Sequence, residues 1–488
     1  MRHMFLALGA NAHLKHFLYA LLGSSLLAYA AIALGWLPPL FDTSIHPLLS
    51  FARTSDLGIL LGRISVVLAT GILISQWLVV GSNVRKGVEN FRLQWQLFFL
   101  WALPIMLTPA IFSRDVYSYI AQGRLVLAGF NPYTNGVSVV PGWFHLGVDP
   151  LWATTPTPYG QIWIAIEAMV VAMTPDSPFW SLVLFRVASL LAVIAMSLGI
   201  LKLAQHFQVS PSLALWLSLM NPLTLFHLIG AAHNDSFMLA FLIWGFYFAV
   251  QQKFIRAVLF VACAGLIKPI ALLALVIVVL EPHLTLRQKV IRWLLAGLST
   301  LALLWTVGEF SRFGLDWIQA LVAPGEVLTL LSPSSTVGYV VGLIFETLGV
   351  SSIETMLMFV RLVIFGFALL AIAIYLLGTK ADNIVRVGAY AFALLVIASP
   401  VIQPWYVLWV LLLIAPIGIR NVLHLRLIVF TTVFLVAYST IEVEVARDFN
   451  LSIGDFISIF SIFLVMALTF ATSTRTRELV SHFGPGNP

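Results

Sequence analysis

A short polar cluster at residues 113 to 119 follows directly on a long apolar run and holds several groups that could do chemistry. Charged side chains beside hydrocarbon are costly, so those kept at a membrane boundary are candidates for function. Burial at a low-dielectric rim can raise the pKa of a carboxylate toward neutrality, and Asp115 could then act as a general base toward an acceptor hydroxyl. The alternatives for Asp115 are an ion pair with Arg114 or a helix N-cap.

The neighbours of Asp115 add a cation and two phenols. Arg114 could bind a phosphate, or it could hold the carboxylate of Asp115. Tyr117 and Tyr119 are two residues apart, so on a helix they point in different directions and at most one lines the pocket of Asp115. Both tyrosines are also typical of the aromatic belt at a membrane surface, which is the competing interpretation.

A second polar group, His233, Asn234 and Asp235, closes an apolar run that begins at Pro222. These three side chains could bind sugar hydroxyls, orient a phosphate or ligate a cation, and a helix cap is the structural alternative. No second Asp, Glu or His lies nearby at metal-ligand spacing, and the chain has no Asp-X-Asp triplet. We therefore predict neither a bound metal nor another cofactor.

Two further polar positions interrupt apolar segments later in the chain. Lys268 lies deep in one of them and must find an anion or extend its ammonium group to the surface; a lipid-linked phosphate would suit it. Gln403, Trp405 and Tyr406 follow the Ser399-Pro400 turn, and the aromatic rings could stack on the apolar face of a sugar. Packing in the aromatic belt is the alternative for both rings.

These candidates lie in a chain built almost entirely of apolar segments. Of its 488 residues 60% are hydrophobic and only 9% are Asp, Glu, Lys or Arg, too little polar surface for a soluble globule. Apolar runs of about 17 to 25 residues recur, each long enough to cross a bilayer as a helix. The composition thus predicts an all-α polytopic membrane protein. The single cysteine, Cys263, excludes an intramolecular disulfide, and scattered Lys and Arg are typical of cytoplasmic loops, not of nucleic-acid binding.

The distribution of basic residues predicts a topology, because cytoplasmic loops carry most of the Lys and Arg. The N-terminus with Lys15, the loop with Arg85 and the C-terminus are predicted inside. Three spans at roughly 15–37, 57–81 and 94–112 then place residues 113–159 outside, as a large loop with turns and short interfacial helices. The polar clusters fall on this same side, which predicts a convergent outer cavity.

The total count is predicted as about 12 full spans, with a range up to 15. Three stretches do not fit as simple crossings and are expected to be short, broken or re-entrant elements: 160–173, 257–280 with its break at Lys268-Pro269, and 336–350. Broken helices at membrane depth are tolerated only where they are buried in protein or line a cavity. We expect one membrane domain over 1–488, a retained first helix, and no separate soluble domain after Thr472.

Several of these motifs together resemble the actinobacterial polyprenol-phosphate-mannose-dependent α-1,6-mannosyltransferases, in the same order and over most of the chain. None is decisive alone. The matching segments are Arg114 to Tyr119, Gln122-Gly123, Gly129 to Gly136, Asn221-Pro222, His233 to Asp235, Gly265 to Pro269, Ser332-Pro333, and Ser399 to Trp409.

The resemblance implies a GT-C glycosyltransferase fold, in which Asp115 matches the catalytic acid residue of the first large outer loop. It also implies a β-linked mannosyl phosphopolyprenol donor, inversion at the anomeric carbon, and an α-1,6-mannan acceptor on a phosphatidylinositol anchor, the core of lipomannan and lipoarabinomannan. Lys268, with Arg114 or His233, would stabilise the leaving phosphate. We expect a monomer in the plasma membrane, among its lipids, with the active site facing outward.

Two other functions are compatible with this composition. A lipid-linked sugar flippase or small-molecule transporter would also be polytopic with broken helices, but it should show two related halves, and neither Arg114-Asp115 nor His233 to Asp235 is repeated. Another GT-C enzyme with a different lipid-linked sugar, such as an arabinofuranosyl transferase, would differ only in the few side chains that read hydroxyl stereochemistry. The identity of the donor therefore rests on the resemblance.

Overall fold

The computed structural model describes residues 2–36, 46–88, 90–175, 177–281, 284–320, 331–378, 383–445 and 453–481. Regular structure in these ranges is helical, apart from one isolated bridge between Trp36 and Ala110. In chain order the α-helices are α1 (Arg2–Leu34), α2 (Pro47–Thr54), α3 (Asp56–Arg85), α4 (Phe91–Ala102), α5 (Asp115–Leu127), α6 (Gln161–Met173), α7 (Pro178–His206), α8 (Pro211–Leu217), α9 (Asp235–Val250), α10 (Phe254–Gly265), α11 (Leu275–Val278), α12 (Leu286–Ser311), α13 (Pro333–Thr347), α14 (Ile353–Gly378), α15 (Ile384–Ala398), α16 (Leu408–Ile414), α17 (Val422–Val445), α18 (Ile453–Thr472) and α19 (Thr474–Ser481).

Six of the described helices are long and apolar enough to cross a bilayer by themselves, and seven shorter apolar helices accompany them. The six are Leu14–Leu34, Asp56–Arg85, Pro178–His206, Leu286–Ser311, Ile353–Leu377 and Val422–Thr440. This confirms the predicted all-α polytopic membrane class. The segment 113–159 contains α5 and three short 3-10 helices, at Val137–Val139, Phe144–Leu146 and Pro150–Trp152, as expected of a loop with short helices.

The third expected span is shorter than predicted. It was expected to reach residue 112, but α4 ends at Ala102 and a 3-10 turn over Leu103–Ile105 follows it. Pro104 has no N–H with which to continue the helix, and the carbonyl of Leu100 instead accepts a hydrogen bond of 3.0 Å from the Ser24 hydroxyl of α1. Residues 106–112 are therefore free to form the turn that leads into α5.

Close helix packing depends on small residues, as is usual between membrane helices. α3 approaches α1 so closely that a Cβ atom at Gly62 would lie 2.7 Å from the Cβ of Ala33. α9 meets α10 in the same way, because a Cβ at Gly245 would lie 2.7 Å from a methyl group of Val261. The second of these contacts fixes α9, which begins with Asp235.

Two of the three stretches that did not fit as crossings dock on each other. α10 ends at Gly265, and the chain resumes as a 3-10 helix at Pro269, as the Lys268-Pro269 break predicted. The carbonyls freed by this break accept hydrogen bonds from the start of α6: Gly160 N–H donates to Ile267 O and Ile162 N–H to Leu266 O, both at 3.0 Å. The backbone N–H groups at the start of α6 thereby bond to the free carbonyls after α10, and Lys268 is held at this junction.

The third such stretch forms α13, which begins with Ser332 as N-cap. Three serine hydroxyls at this end bond to the turn before Gln403: Ser332 and Ser334 donate to the carbonyl of Ser399 at 2.6 and 3.0 Å, and Ser335 donates to that of Pro400. The prolines in these segments leave backbone carbonyls without helical partners, and the serines satisfy them. These hydrogen bonds fix the start of the segment that carries Trp405.

Candidate active site

Two carboxylates begin helices and approach one region of the protein. Asp115 is the first residue of α5, and Asp235 is the first residue of α9. The N-terminus of a helix carries a partial positive charge, which favours a carboxylate in the first turn. The N–H of Asp115 also donates to the Ser113 hydroxyl at 3.2 Å, which closes the turn in front of α5.

Asp115 is paired with His233. Nδ1 of His233 lies 3.3 Å from Oδ2 of Asp115; the carboxylate is 24% exposed, and the imidazole is fully buried. Burial acts to raise the pKa of Asp115, but the close approach and charge of His233, together with the charge of Lys268, bring this pKa below its ordinary value. The expectation of a pKa raised toward neutrality is therefore wrong, because partners outweigh burial. Asp115 is an ionised carboxylate at neutral pH.

The imidazole of His233 is held in place by aromatic packing. Trp405 stacks on it with ring centroids 3.7 Å apart, and this indole is only 5% exposed, so it supports His233 and does not present a face to a sugar. His227 lies behind both rings, 5.8 Å from His233, and its Nε2 is 2.8 Å from the hydroxyl of Ser439. Sequence reasoning did not identify His227 or Ser439, because His227 has only apolar residues on either side and Ser439 is one hydroxyl residue among several in a long apolar helix.

A second charged pair lies beside the first. Nζ of Lys268 is 2.9 Å from Oδ2 of the fully buried Asp235, and the other carboxylate oxygen accepts a hydrogen bond of 2.7 Å from Trp409. The ammonium group also lies over the rings of Tyr406 and Trp409, at 5.0 and 5.4 Å from their centroids. Both Asp235 oxygens thus have partners inside the protein, whereas an ammonium group has three donors and Asp235 uses one. Lys268, 15% exposed, keeps the capacity to bind an anion.

A pair of phenols closes the side of the cluster toward α6. Tyr119 packs edge-on against Tyr159 and Trp163, at centroid distances of 5.5 and 5.0 Å. Burial raises the pKa of Tyr159 well above its ordinary value, and the nearby charge of Asp115 raises it further, so the phenol remains a hydrogen-bond donor. Tyr159 was missing from the predicted site; its position at the end of the 113–159 loop was the available signal.

Arg114 and Tyr117 contact a different part of the outer loop. The guanidinium group of Arg114 donates to the carbonyls of Gly147 and Val148 at 3.0 and 2.7 Å and lies 3.7 Å from the ring centroid of Trp36. Tyr117 donates to the carbonyl of Trp36, and burial raises its pKa to about 12. Neither residue contacts the cluster around Asp115, so their observed contacts are those of residues that brace the loop.

The remaining predicted residues lie beside the cluster. Asn234 is fully buried, and no described group bonds to its side-chain amide. Gln403 is partly exposed and precedes the 3-10 helix Pro404–Val407, in which Tyr406 stacks on Trp409 at 4.3 Å. Nowhere in the described ranges do three His, Cys, Asp or Glu side chains form a group that could hold a metal ion. Metal independence stays a prediction.

The arrangement combines an ionised carboxylate, a buried histidine and a lysine with spare donors inside a bundle of membrane helices. A carboxylate can accept a proton from a hydroxyl, and a lysine can stabilise a departing phosphate. Fold and site together define the class: an all-α, polytopic membrane glycosyltransferase.

Comparison with known families gives the particular family. The family described as "Alpha-(1->6)-mannopyranosyltransferase, N-terminal domain" matches residues 18–283, and "MptB C-terminal domain" matches residues 334–472. The chain belongs to the alpha-(1->6)-mannopyranosyltransferase family, and it is a mannosyltransferase. Whether the two matched segments form one domain, as we expect, stays a prediction.

Individual relatives agree with this assignment. Alpha-(1->6)-mannopyranosyltransferase B of Corynebacterium glutamicum is 28% identical over 489 residues, covering 92% of this chain and 79% of the relative. Alpha-(1->6)-mannopyranosyltransferase A of Mycobacterium tuberculosis is 28% identical over 394 residues, covering 78% of this chain and 75% of the relative. No solved structure matches the chain.

Proposed function

We propose that this enzyme transfers mannose from polyprenyl-phosphate-mannose to an α-1,6-mannan acceptor, the core of lipomannan and lipoarabinomannan, with Asp115 as general base. The observation that carries the proposal is the pair formed by Asp115 and His233, at 3.3 Å, beside the Lys268 ammonium group. Asp115 can accept a proton and Lys268 can bind a phosphate, and both side chains act at the same site.

The proposed reaction is a single displacement. Asp115 takes the proton of the acceptor hydroxyl, whose oxygen forms a bond to the anomeric carbon of mannose. The bond between that carbon and the phosphate oxygen breaks on the opposite face, with inversion, and the phosphate leaves with the electron pair. Lys268 stabilises its charge through donors that Asp235 does not use. No general acid is needed, because a lipid phosphate is already a good leaving group.

His233 and Tyr159 have supporting parts in this scheme. His233 lies 3.3 Å from Oδ2 of Asp115, where its charge favours the ionised carboxylate. Tyr159 stays protonated near the same carboxylate, so it can donate a hydrogen bond to a sugar hydroxyl. The polyprenyl tail of the donor would lie among the apolar helices.

The distribution of charge supports a proposal for the membrane face of the site. Basic residues are concentrated in segments that the positive-inside rule assigns to the cytoplasm, and Asp115 begins the helix after α4, on the opposite side in that topology. The basic residues concerned are Lys15, Arg85, Lys86, Arg92 and Arg477. We therefore propose an active site that opens to the outer face of the plasma membrane.

The relatives' names support an α-1,6 linkage, and the resemblance in the loop motifs supports the lipid-linked mannose donor and the phosphatidylinositol-anchored acceptor. The test is to incubate the purified protein in lipid with mannosyl phosphopolyprenol and a short α-1,6-mannoside, and to determine the linkage of any product. We expect an added α-1,6 mannose. Transfer of arabinose from its polyprenyl phosphate, with no transfer of mannose, would overturn the assignment of the donor. Movement of donor across the bilayer without product would favour the transporter.

A further inference from the structure

Two buried turns with unusual backbone geometry lead into the pair formed by Asp115 and His233. Phe112 and Ala232 have φ angles of 71° and 53°, a left-handed conformation that costs free energy in residues other than glycine. Both are buried, at 2% and 0% exposure. Ala232 stands just past the end of the π-helix Thr224–Gly230. The other three such residues of the described chain, Gln208, Gln252 and Arg312, also stand just past helix ends, where this conformation is common, but they are exposed.

The two turns serve the same site. Phe112 stands three residues before Asp115, and Ala232 immediately precedes His233. The turns also pack on each other, because the ring of Phe112 stacks on that of Phe226 with centroids 4.3 Å apart. Strained backbone persists only where the surroundings hold it, and it often occurs where geometry matters for function.

A single side chain, that of Arg186 on α7, bonds to both turns. It is fully buried, and it donates to the main-chain carbonyls of Ile105, Met106, Thr108, Pro109 and Gly230. Nη1 lies 2.7 Å from Ile105 O, and Nη2 lies 3.0 Å from Pro109 O, both ahead of Phe112. On the other side, Nη2 and Nε lie 2.6 and 3.2 Å from Gly230 O, ahead of Ala232.

The shape of the guanidinium group explains why arginine suits this place. Its five donors form a rigid planar fork, so one side chain can bond to carbonyls that face it from two directions. The carbonyls of Ile105 and Thr108 lie just past the point near Pro104 where the helix stops, and a cation near a helix C-terminus is favourable. Burying a charge among membrane helices costs free energy, and the hydrogen bonds that Arg186 donates to both turns offset that cost.

We propose that Arg186 is a positioning residue for the transfer reaction. By tying the turn of Phe112 to the turn of Ala232, it sets the distance between the Asp115 carboxylate and the His233 imidazole. This inference rests on the proposed role of Asp115 as the base. It assigns to Arg186 no contact with either substrate, so its effect should fall on turnover and on the state of the carboxylate, and donor binding should change little.

The test compares Arg186→Lys with Lys289→Met, per amount of folded monodisperse protein. Lysine keeps the charge but cannot bridge both turns, whereas Lys289 is a buried cation on α12 that bonds to Leu376 O at 3.5 Å, away from the site. We expect Arg186→Lys to lower kcat on the order of 10²-fold with little change in donor KM. The acid limb of its pH profile should move up by about half a pH unit or more, because His233 no longer supports the carboxylate fully. Lys289→Met should leave both the pH profile and kcat unchanged.

A second variant tests the same turn without changing Arg186. A β-branched side chain cannot adopt the left-handed conformation at low cost, so Ala232→Val should reproduce the loss of kcat and the shift of the acid limb, while Ala232→Gly should retain activity. Equal pH profiles for the parent, Arg186→Lys and Ala232→Val would overturn the proposal. A loss of total activity explained entirely by a loss of folded protein, with kcat per folded protein unchanged, would also overturn it. An active Asp115→Asn variant would instead refute the proposed base.

Discussion

Lys268 and Asp235 form a salt bridge of 2.9 Å, and the remaining oxygen of this buried carboxylate accepts a hydrogen bond from Trp409 at 2.7 Å. Both oxygens of this carboxylate thus have partners inside the protein, whereas the ammonium group of the lysine keeps N–H donors that Asp235 does not use. This asymmetry separates the two acidic residues of the site: Asp235 holds a cation in place, and Asp115, 24% exposed, can meet a substrate hydroxyl. The proposal of Asp115 as the base depends on that difference.

Replacing Asp115 by asparagine should abolish most of the transfer. Asparagine preserves the shape of the side chain but cannot accept the proton, so we expect kcat to fall by about 10²- to 10⁴-fold with normal folding. The measurement is mannose transfer by purified protein, with Asp56→Asn, an exposed carboxylate in the first turn of α3, as control. Turnover near that of the control would exclude Asp115 as the base.

The pH dependence should have an unusually low acid limb. Because the pKa of Asp115 lies below its ordinary value in the folded protein, the carboxylate stays ionised at neutral pH and loses its charge only at a pH below the usual range of an aspartate. The stability contributed by the pair with His233 is likewise present at neutral pH and lost as the pH falls through that folded pKa.

His233→Gln should move this acid limb upward, because it removes the largest of the interactions that lower the pKa of Asp115. The measurement is kcat/KM for both proteins in the same lipid, from pH 8 down through the acid limb of each profile. An identical acid limb in the variant would show that His233 does not control the charge of Asp115.

Removing the lysine should have two effects that a double variant can separate. Lys268→Met leaves Asp235 buried without its partner, which costs about 3–5 kcal/mol of stability. Adding Asp235→Asn removes that charge, so the double variant should regain most of its thermal stability while still using the lipid donor poorly. Recovery of normal donor KM together with stability would assign Lys268 a purely structural role.

Gly160→Ala should disturb the junction that holds Lys268. A Cβ atom at this position would collide with the carbonyl of Leu266, and overpacking of this kind costs about 1–3 kcal/mol. We expect a lower Tm and weaker donor use. Gly297→Ala on α12 is the matched control, since no atom lies within 4 Å of its added methyl group. Equal Tm values for the two variants would contradict the observed close approach.

Chelators should leave transfer intact. The positive charge that the leaving phosphate needs is supplied in our scheme by Lys268, without a divalent ion. The assay is repeated in EDTA after extensive dialysis, with a second sample restored by Mg²⁺ or Mn²⁺. A loss of activity that the metal reverses would show that His233 to Asp235 binds a cation.

The sequence by itself determined the class of the protein and the helix break at Lys268-Pro269, but not the one near Pro104. Polar residues in apolar runs can be recognised whatever the packing of the helices. The free-energy cost of placing such a side chain in hydrocarbon depends on that residue and not on its tertiary neighbours. Asp115, His233, Asp235 and Lys268 stood out for that reason, and the Lys268-Pro269 break was predicted because proline lacks an N–H.

The tertiary structure decided which of these groups are partners. Arg114 was predicted to bind a phosphate or to hold the carboxylate of Asp115, yet it bonds to Gly147 and Val148, because the direction of a side chain depends on how α5 packs. Tyr159 and Arg186 owe their importance to contacts with residues distant along the chain. The pKa of Asp115 was mispredicted for the same reason. A pKa depends on burial and on partners together, and only the packing of the helices brings His233 close to Asp115.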